Sequence, residues 1–195
     1  MEKFNELSRA AHDNAVKHGW WKDNLSVEHC LMLVVTEISE MVEADRKNDD
    51  VRIRHIRFQN NLAAAQKCKY TEEVERAGDA GFNAAFERHI KDTVQDELAD
   101  VAIRLLDLAG KLGMDFTMLS PMRYHRAFDK FTFAENAFAL TKGLCRENIN
   151  IFKRIHFGIH YVSKWAKNQG IDLEWHINQK MRYNANRPFK HNKAY

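Results

Sequence analysis

LMLVVTEISEMVEA at residues 31–44 and VQDELADVAIRLLDLAG at residues 94–110 decide how this chain is read. Each is a strongly apolar stretch carrying an acidic pair at i, i+3: Glu37 and Glu40 in the first, Glu97 and Asp100 in the second. On an α-helix this spacing puts both carboxylates of a pair on one side, about one turn apart. With Glu37 at 0° and roughly 100° per residue, Leu31, Val34, Val35, Ile38, Met41 and Val42 fall between about 20° and 160°, and Glu40 near −60°. Counting from Glu97 places Leu98, Val101, Ala102, Leu105, Leu108 and Ala109 in the same arc, with Asp100 again near −60°. Both helices therefore carry acids at the rim of the core face, and packing the two faces together would bring four carboxylates into one place. Like charges at about 4 Å repel by roughly 1 kcal/mol in water and about 4 kcal/mol at an intermediate dielectric. Such a cluster needs protons or cations, and the hard, oxygen-seeking ions Mg²⁺ or Mn²⁺ suit it. One acidic pair of this kind is usually a solvated helix face; two in the same register on two apolar helices point to a metal site.

The rest of the chain supports an all-α reading. Its 195 residues suffice for one domain with a substantial core, and two prolines and eight glycines favour long helices over turn-rich β structure. The net charge of +3 is too small to argue for a nucleic-acid polymer as partner. Cys30, Cys68 and Cys145 are odd in number and far apart, which argues for reduced thiols and a cytoplasmic protein. The N-terminus MEKFNELSRAAHDNAVKHGWW has no apolar core of a secretory leader, and no stretch approaches the roughly 18 apolar residues of a membrane span.

Taken in order, residues 2–18 form an amphipathic helix closed by Gly19, followed by Trp20 and Trp21, indoles able to stack on a nucleobase. Ser26 caps the first acidic helix, and Thr93 with Asp96 forms a T-x-x-D variant of the capping box at the start of the second. Between them, residues 51–91 read as a polar, partly helical insertion with weak apolar periodicity. Residues 128–167 read as one or two further helices rich in aromatics, which at helical spacing belong to a core or subunit interface. A last helix before Pro188 places His176, Lys180, Asn184 and Arg187 along one stripe. Its two cations and amide are the groups that hold phosphate oxygens. Joined to a carboxylate–metal cluster, they make a diphosphate or triphosphate the economical substrate.

TEISEMVEADR, DELADVAIRLLDLAG and KMRYNANRPFKHNKAY together resemble the MazG-like members of the all-α nucleoside triphosphate pyrophosphohydrolase superfamily. The family motif is EExxE followed by ExxD, with Mg²⁺ bound by these acids. By position the resemblance implies Glu37, Glu40, Glu97 and Asp100 as metal ligands, with Glu37 and Glu40 also catalytic and Glu40 orienting the water. From the residues themselves, Lys180, Asn184 and Arg187 are expected to hold phosphate oxygens and Trp21 to face the base, although paired tryptophans after a helix more often cover a core. The fold implied is a helical bundle completed by a homodimer or homotetramer. The reaction implied is Mg²⁺-dependent hydrolysis of a nucleoside triphosphate to monophosphate and pyrophosphate. Thr36 stands where the family often has its first Glu, and the 57 positions from Glu40 to Glu97 exceed the usual spacer.

Two other readings compete. A di-iron bundle needs Glu-x-x-His on two helices, and no Glu in this chain has His three positions on. A non-catalytic helical interaction protein would use the acidic pairs as structure.

Overall fold

The computed structural model describes residues 1–47, 72–120, 122 and 125–189, with the side chains of residues 72–78 and 80 outside the description. Most of the insertion expected at residues 51–91 therefore lies outside the described residues, as do Pro121 and the tail beyond residue 189. Among the described residues the chain is all-helical, with no strand. The α-helices are α1 (Glu2–Lys17), α2 (Val27–Arg46), α3 (Glu72–His89), α4 (Val94–Lys111), α5 (Phe133–Leu144), α6 (Ile151–Asn168) and α7 (Leu173–Ala185). No helix among these residues is long and apolar enough to cross a membrane.

The second acidic helix, α4, is the central one: α1, α2, α6 and α7 all pack on it. The sequence explains its place. Leu98, Ala99, Val101, Ala102, Leu105, Leu106, Leu108 and Ala109 are all buried, so the apolar surface wraps well beyond one stripe. Each fully buried leucine here contributes about 1.5–3 kcal/mol. α2 meets α4 through Leu31, Val34, Ile38 and Met41, members of the same core cluster. The two acidic helices thus pack on each other through their apolar arcs.

Local signals fix the helix ends. Ser26 accepts a hydrogen bond from the His29 backbone N–H at the start of α2, and Gly19, with φ of 78°, turns the chain after α1. The Thr93 hydroxyl accepts from the Asp96 N–H, but the reciprocal half of the expected box is absent. Asp96 instead accepts from the Asp92 N–H at 3.1 Å and from Lys180. A complete capping box that sequence reading missed, Thr132 with Glu135, starts α5. The last helix ends at Ala185, two residues short of the Arg187 limit expected from Pro188.

The aromatic segment divides into a 3-10 turn (Phe128–Lys130), α5 and α6. Phe128, Tyr161 and Trp165 are buried in the main core, and the Tyr161 hydroxyl donates to the Asn136 carbonyl at 2.7 Å. α3 belongs to a smaller cluster in which Phe82, Ala85, Phe86 and Ile90 pack with Tyr183 of α7. The Phe86 and Tyr183 rings stack at 4.6 Å, and the Tyr183 hydroxyl donates to Glu87 at 2.9 Å. This pair steadies α7 where it lies along α4.

Gly110 marks the closest approach of α1 to α4. A Cβ there would stand 2.6 Å from the His12 Cβ and 2.9 Å from the Ser8 carbonyl oxygen. Gly110→Ala is expected to destabilise by up to about 2 kcal/mol, because an overpacking penalty of about 1–3 kcal/mol exceeds the roughly 1 kcal/mol gained in helix propensity. Urea denaturation at unchanged m-value checks it.

Candidate functional site

Three carboxylates converge at the α2–α4 crossing. One oxygen each from Glu37, Glu40 and Glu97 lies within 4.8 Å of the others, close enough to share a metal ion. Glu37 and Glu97 are buried and Glu40 is exposed, so the group opens to solvent on the Glu40 side. It forms part of a cleft of about 270 Å³ that also takes in Asp100, Lys180, Asn184, Arg187 and Trp20. Of the residues expected at the site, the fold gathers Glu37, Glu40, Glu97, Asp100, Lys180, Asn184 and Arg187 around this one space. His176, on the same stripe of sequence, is buried and does not line it.

Trp21 also does not line the cleft. Its indole N–H donates to Asp107 at 2.8 Å, its ring lies edge-on to His12, and it packs against the core. Trp20 is the indole of the pair that reaches the cleft. Thr36, at the family's first acidic position, is exposed and donates to the Met32 carbonyl of its own helix.

Two cations already sit among the acids. The Arg104 Nε donates to Glu37 at 2.9 Å. The Lys180 Nζ lies 2.7 Å from both Asp96 and Asp100, with Lys180 and Asp96 both buried. Burial alone would lower the Lys180 pKa, but the Asp100 and Asp96 carboxylates outweigh it and hold the ammonium charged. Sequence reading missed Arg104 and Asp107, and gave Asp96 only a capping role. The signal was present, because Glu97, Asp100, Arg104 and Asp107 follow i, i+3, i+7, i+10 and form one stripe. Asp107 completes that stripe, accepting from Trp21 and facing the His12 Nδ1 at 2.8 Å.

Glu97 is the most perturbed of the acids. Burial, then the neighbouring Asp100 charge, push its carboxyl from the ordinary 4.5 up to about 9. Glu37 is raised as well, by burial first and by Asp100 second, with Arg104 opposing. The Glu97 Oε2 is buried and has no hydrogen-bond partner among the described residues. A divalent cation fits this donor set: it would satisfy the orphaned oxygen and replace the proton that Glu97 otherwise keeps.

The raised Glu97 pKa has a sign for stability. Without metal, the folded protein retains a proton that the unfolded chain releases above about pH 4.5, so this group's contribution falls as pH rises towards about 9. Thermal melts in EDTA are expected to show that decline, and added Mg²⁺ to raise the midpoint more at the alkaline end. A Mg²⁺ effect equal at both ends would contradict it.

Comparison with protein-family models, with curated proteins and with solved structures found no match.

Proposed function

We propose that this chain is a MazG-like, Mg²⁺-dependent hydrolase of nucleoside triphosphates that releases a nucleoside monophosphate and pyrophosphate. The observation that carries the reading is the meeting of Glu37, Glu40 and Glu97 in one cleft with Lys180, Asn184 and Arg187. Carboxylates facing cations across a small cleft suit a polyanion bound together with divalent metal. Glu37, Glu40, Glu97 and Asp100 would hold Mg²⁺, or Mn²⁺ in its place. When bound, the metal supplies a Lewis acid for the phosphates and lowers the pKa of a coordinated water.

This chain's own groups do the rest. Glu40, the exposed acid, is placed to accept a proton from a water entering from solvent. Lys180 has three N–H donors and spends two on Asp96 and Asp100, leaving the third for a phosphate oxygen. The Asn184 Oδ1 is buried without a partner among the described residues, and turning the amide over would present its NH₂ to the same anion. Arg187 adds a guanidinium at the rim. Trp20 offers a ring for the base, with the Arg104 guanidinium 5.7 Å from its centroid. The proposal carries with it the homodimer or homotetramer that the resemblance implies.

Product analysis by ³¹P NMR on a panel of ribo- and deoxyribonucleoside triphosphates with Mg²⁺ tests it. Monophosphate plus pyrophosphate is expected. Diphosphate plus orthophosphate would place the cleavage elsewhere, and no turnover on any nucleotide would return the acidic pairs to a structural role.

A further inference from the structure

A second concave surface lies between α5 and α6, with a volume of about 800 Å³ and no residue in common with the acidic cleft. Its floor is aromatic. Gly143 allows it to form, since a Cβ there would stand 2.0 Å from the Phe157 ring. Phe138 is 65% exposed and Phe131 44% exposed, whereas Phe128, Tyr161 and Trp165 of the same aromatic segment are buried. The rim is cationic: Arg126, Lys142, Arg146, Lys153 and Arg154 line it against a single acid, Glu135. Glu135 is engaged in the α5 capping box, accepting from the Thr132 N–H and hydroxyl.

Two of the five cations are held in place. Arg126 donates to Asn136 at 2.7 Å and lies 3.9 Å from the Phe131 centroid, and Arg154 donates to the Leu144 carbonyl at 2.6 Å. Lys142 lies over the Phe138 ring. No carboxylate among the described residues forms a salt bridge with Lys142, Arg146 or Lys153. Charge argues against several occupants. A second copy docking through this same face would set five cations against five. Residues 48–71 and 190–195 of the chain are themselves net basic. Three cations without a carboxylate partner call for a head group carrying more than one negative charge, and the exposed parts of the Phe138 and Phe131 rings call for a planar body. Mostly apolar concavities of a few hundred Å³ with a few charged groups are the usual form of small-molecule sites.

We propose that the α5–α6 groove is a second ligand site that takes a nucleoside phosphate, with the base against Phe138 and Phe131 and the phosphate on Lys142, Arg146 and Lys153. The site stands apart from the acidic cleft and from metal. Its ligand is bound and left unchanged: the single lining carboxylate, Glu135, is held in the α5 cap, and one acid makes no metal cage.

Titrating ¹⁵N-labelled protein with AMP in EDTA tests this, since the shifted amides report where the nucleotide sits. Shifts centred on residues 138–157 are expected. Lys142→Glu with Lys153→Glu, two solvent-side changes, should weaken binding at least about tenfold and leave the ¹⁵N spectrum folded. Phe138→Ala should weaken AMP and leave inorganic pyrophosphate unaffected. Shifts confined to the acidic cleft would overturn the proposal, as would equal affinity for AMP and pyrophosphate. A (dT)₈ oligonucleotide binding more than about tenfold tighter than AMP would make the groove a polymer surface and overturn it too. Because no metal or hydrolysis enters the test, its failure leaves the proposed activity standing, and failure of that activity leaves the groove standing.

Discussion

Glu97→Gln is expected to lower pyrophosphate release by about 10²–10³-fold or more while making the metal-free protein more stable. The two effects share one cause. Glu97 is 4% exposed, and burial together with Asp100 pushes its carboxyl up to about 9, so its ionised form is unfavourable in the folded chain. Glutamine keeps the shape and removes the charge. It also removes the anion that a cation would need, so the variant should lose the stabilisation that saturating Mg²⁺ is expected to give the wild type, about 2.7 kcal/mol at a hundred times the dissociation constant. A variant that is merely misfolded would lose activity and stability together. Activity lost with EDTA stability gained, read by product assay and thermal melt on one preparation, separates the cases. Glu40→Gln should lose activity too, with a smaller effect on metal-free stability because Glu40 is exposed.

Lys180→Met is expected to destabilise the fold by about 3–5 kcal/mol, a large share of the 5–15 kcal/mol that holds a typical domain. The ammonium bridges Asp96 and Asp100 at 2.7 Å each, and Asp96 is 1% exposed. Removing the cation leaves a buried anion unpaired beside a second one. Adding Asp96→Asn and Asp100→Asn to Lys180→Met should recover most of the loss, since the charges then leave together. Urea titration of the single and triple variants measures both. A Lys180→Met midpoint close to wild type would show that water reaches the pair and that Lys180 is not the internal counter-ion the distances describe.

Much of this was legible in the sequence because its two signals have strong physical causes. The apolar arcs of α2 and α4 bury against each other, and acids at the rim of those arcs must then meet. The C-terminal stripe was legible for Lys180, Asn184 and Arg187, since i, i+4 and i+7 share a face and that face lies over α4. His176, at the same spacing, is buried one turn before Lys180 and does not reach the cleft. Arg104 and Asp107 were missed because the apolar pattern drew attention from the polar stripe beside it, and Asp96 was read only as a helix cap. Which tryptophan of the pair reaches the cleft depends on the left-handed turn at Gly19, a tertiary fact that neighbouring identical residues cannot signal. The Phe82–Phe86 pair of α3 was readable at i, i+4, but its partner, Tyr183, lies nearly a hundred residues away. The α5–α6 groove had no sequence signature either, because an aromatic stripe predicts a core and only packing shows which rings are left outside.

The claim on which the rest depends is that the Glu37, Glu40 and Glu97 carboxylates form a divalent-cation site. Mn²⁺ binding followed by electron paramagnetic resonance measures it without assuming any substrate. Saturable binding by the wild type, lost or strongly weakened in Glu97→Gln and competed by Mg²⁺, is the expected result. No saturable Mn²⁺ in the wild type, or the same affinity in Glu97→Gln, would contradict it and leave the converging acids as a proton-sharing part of the fold.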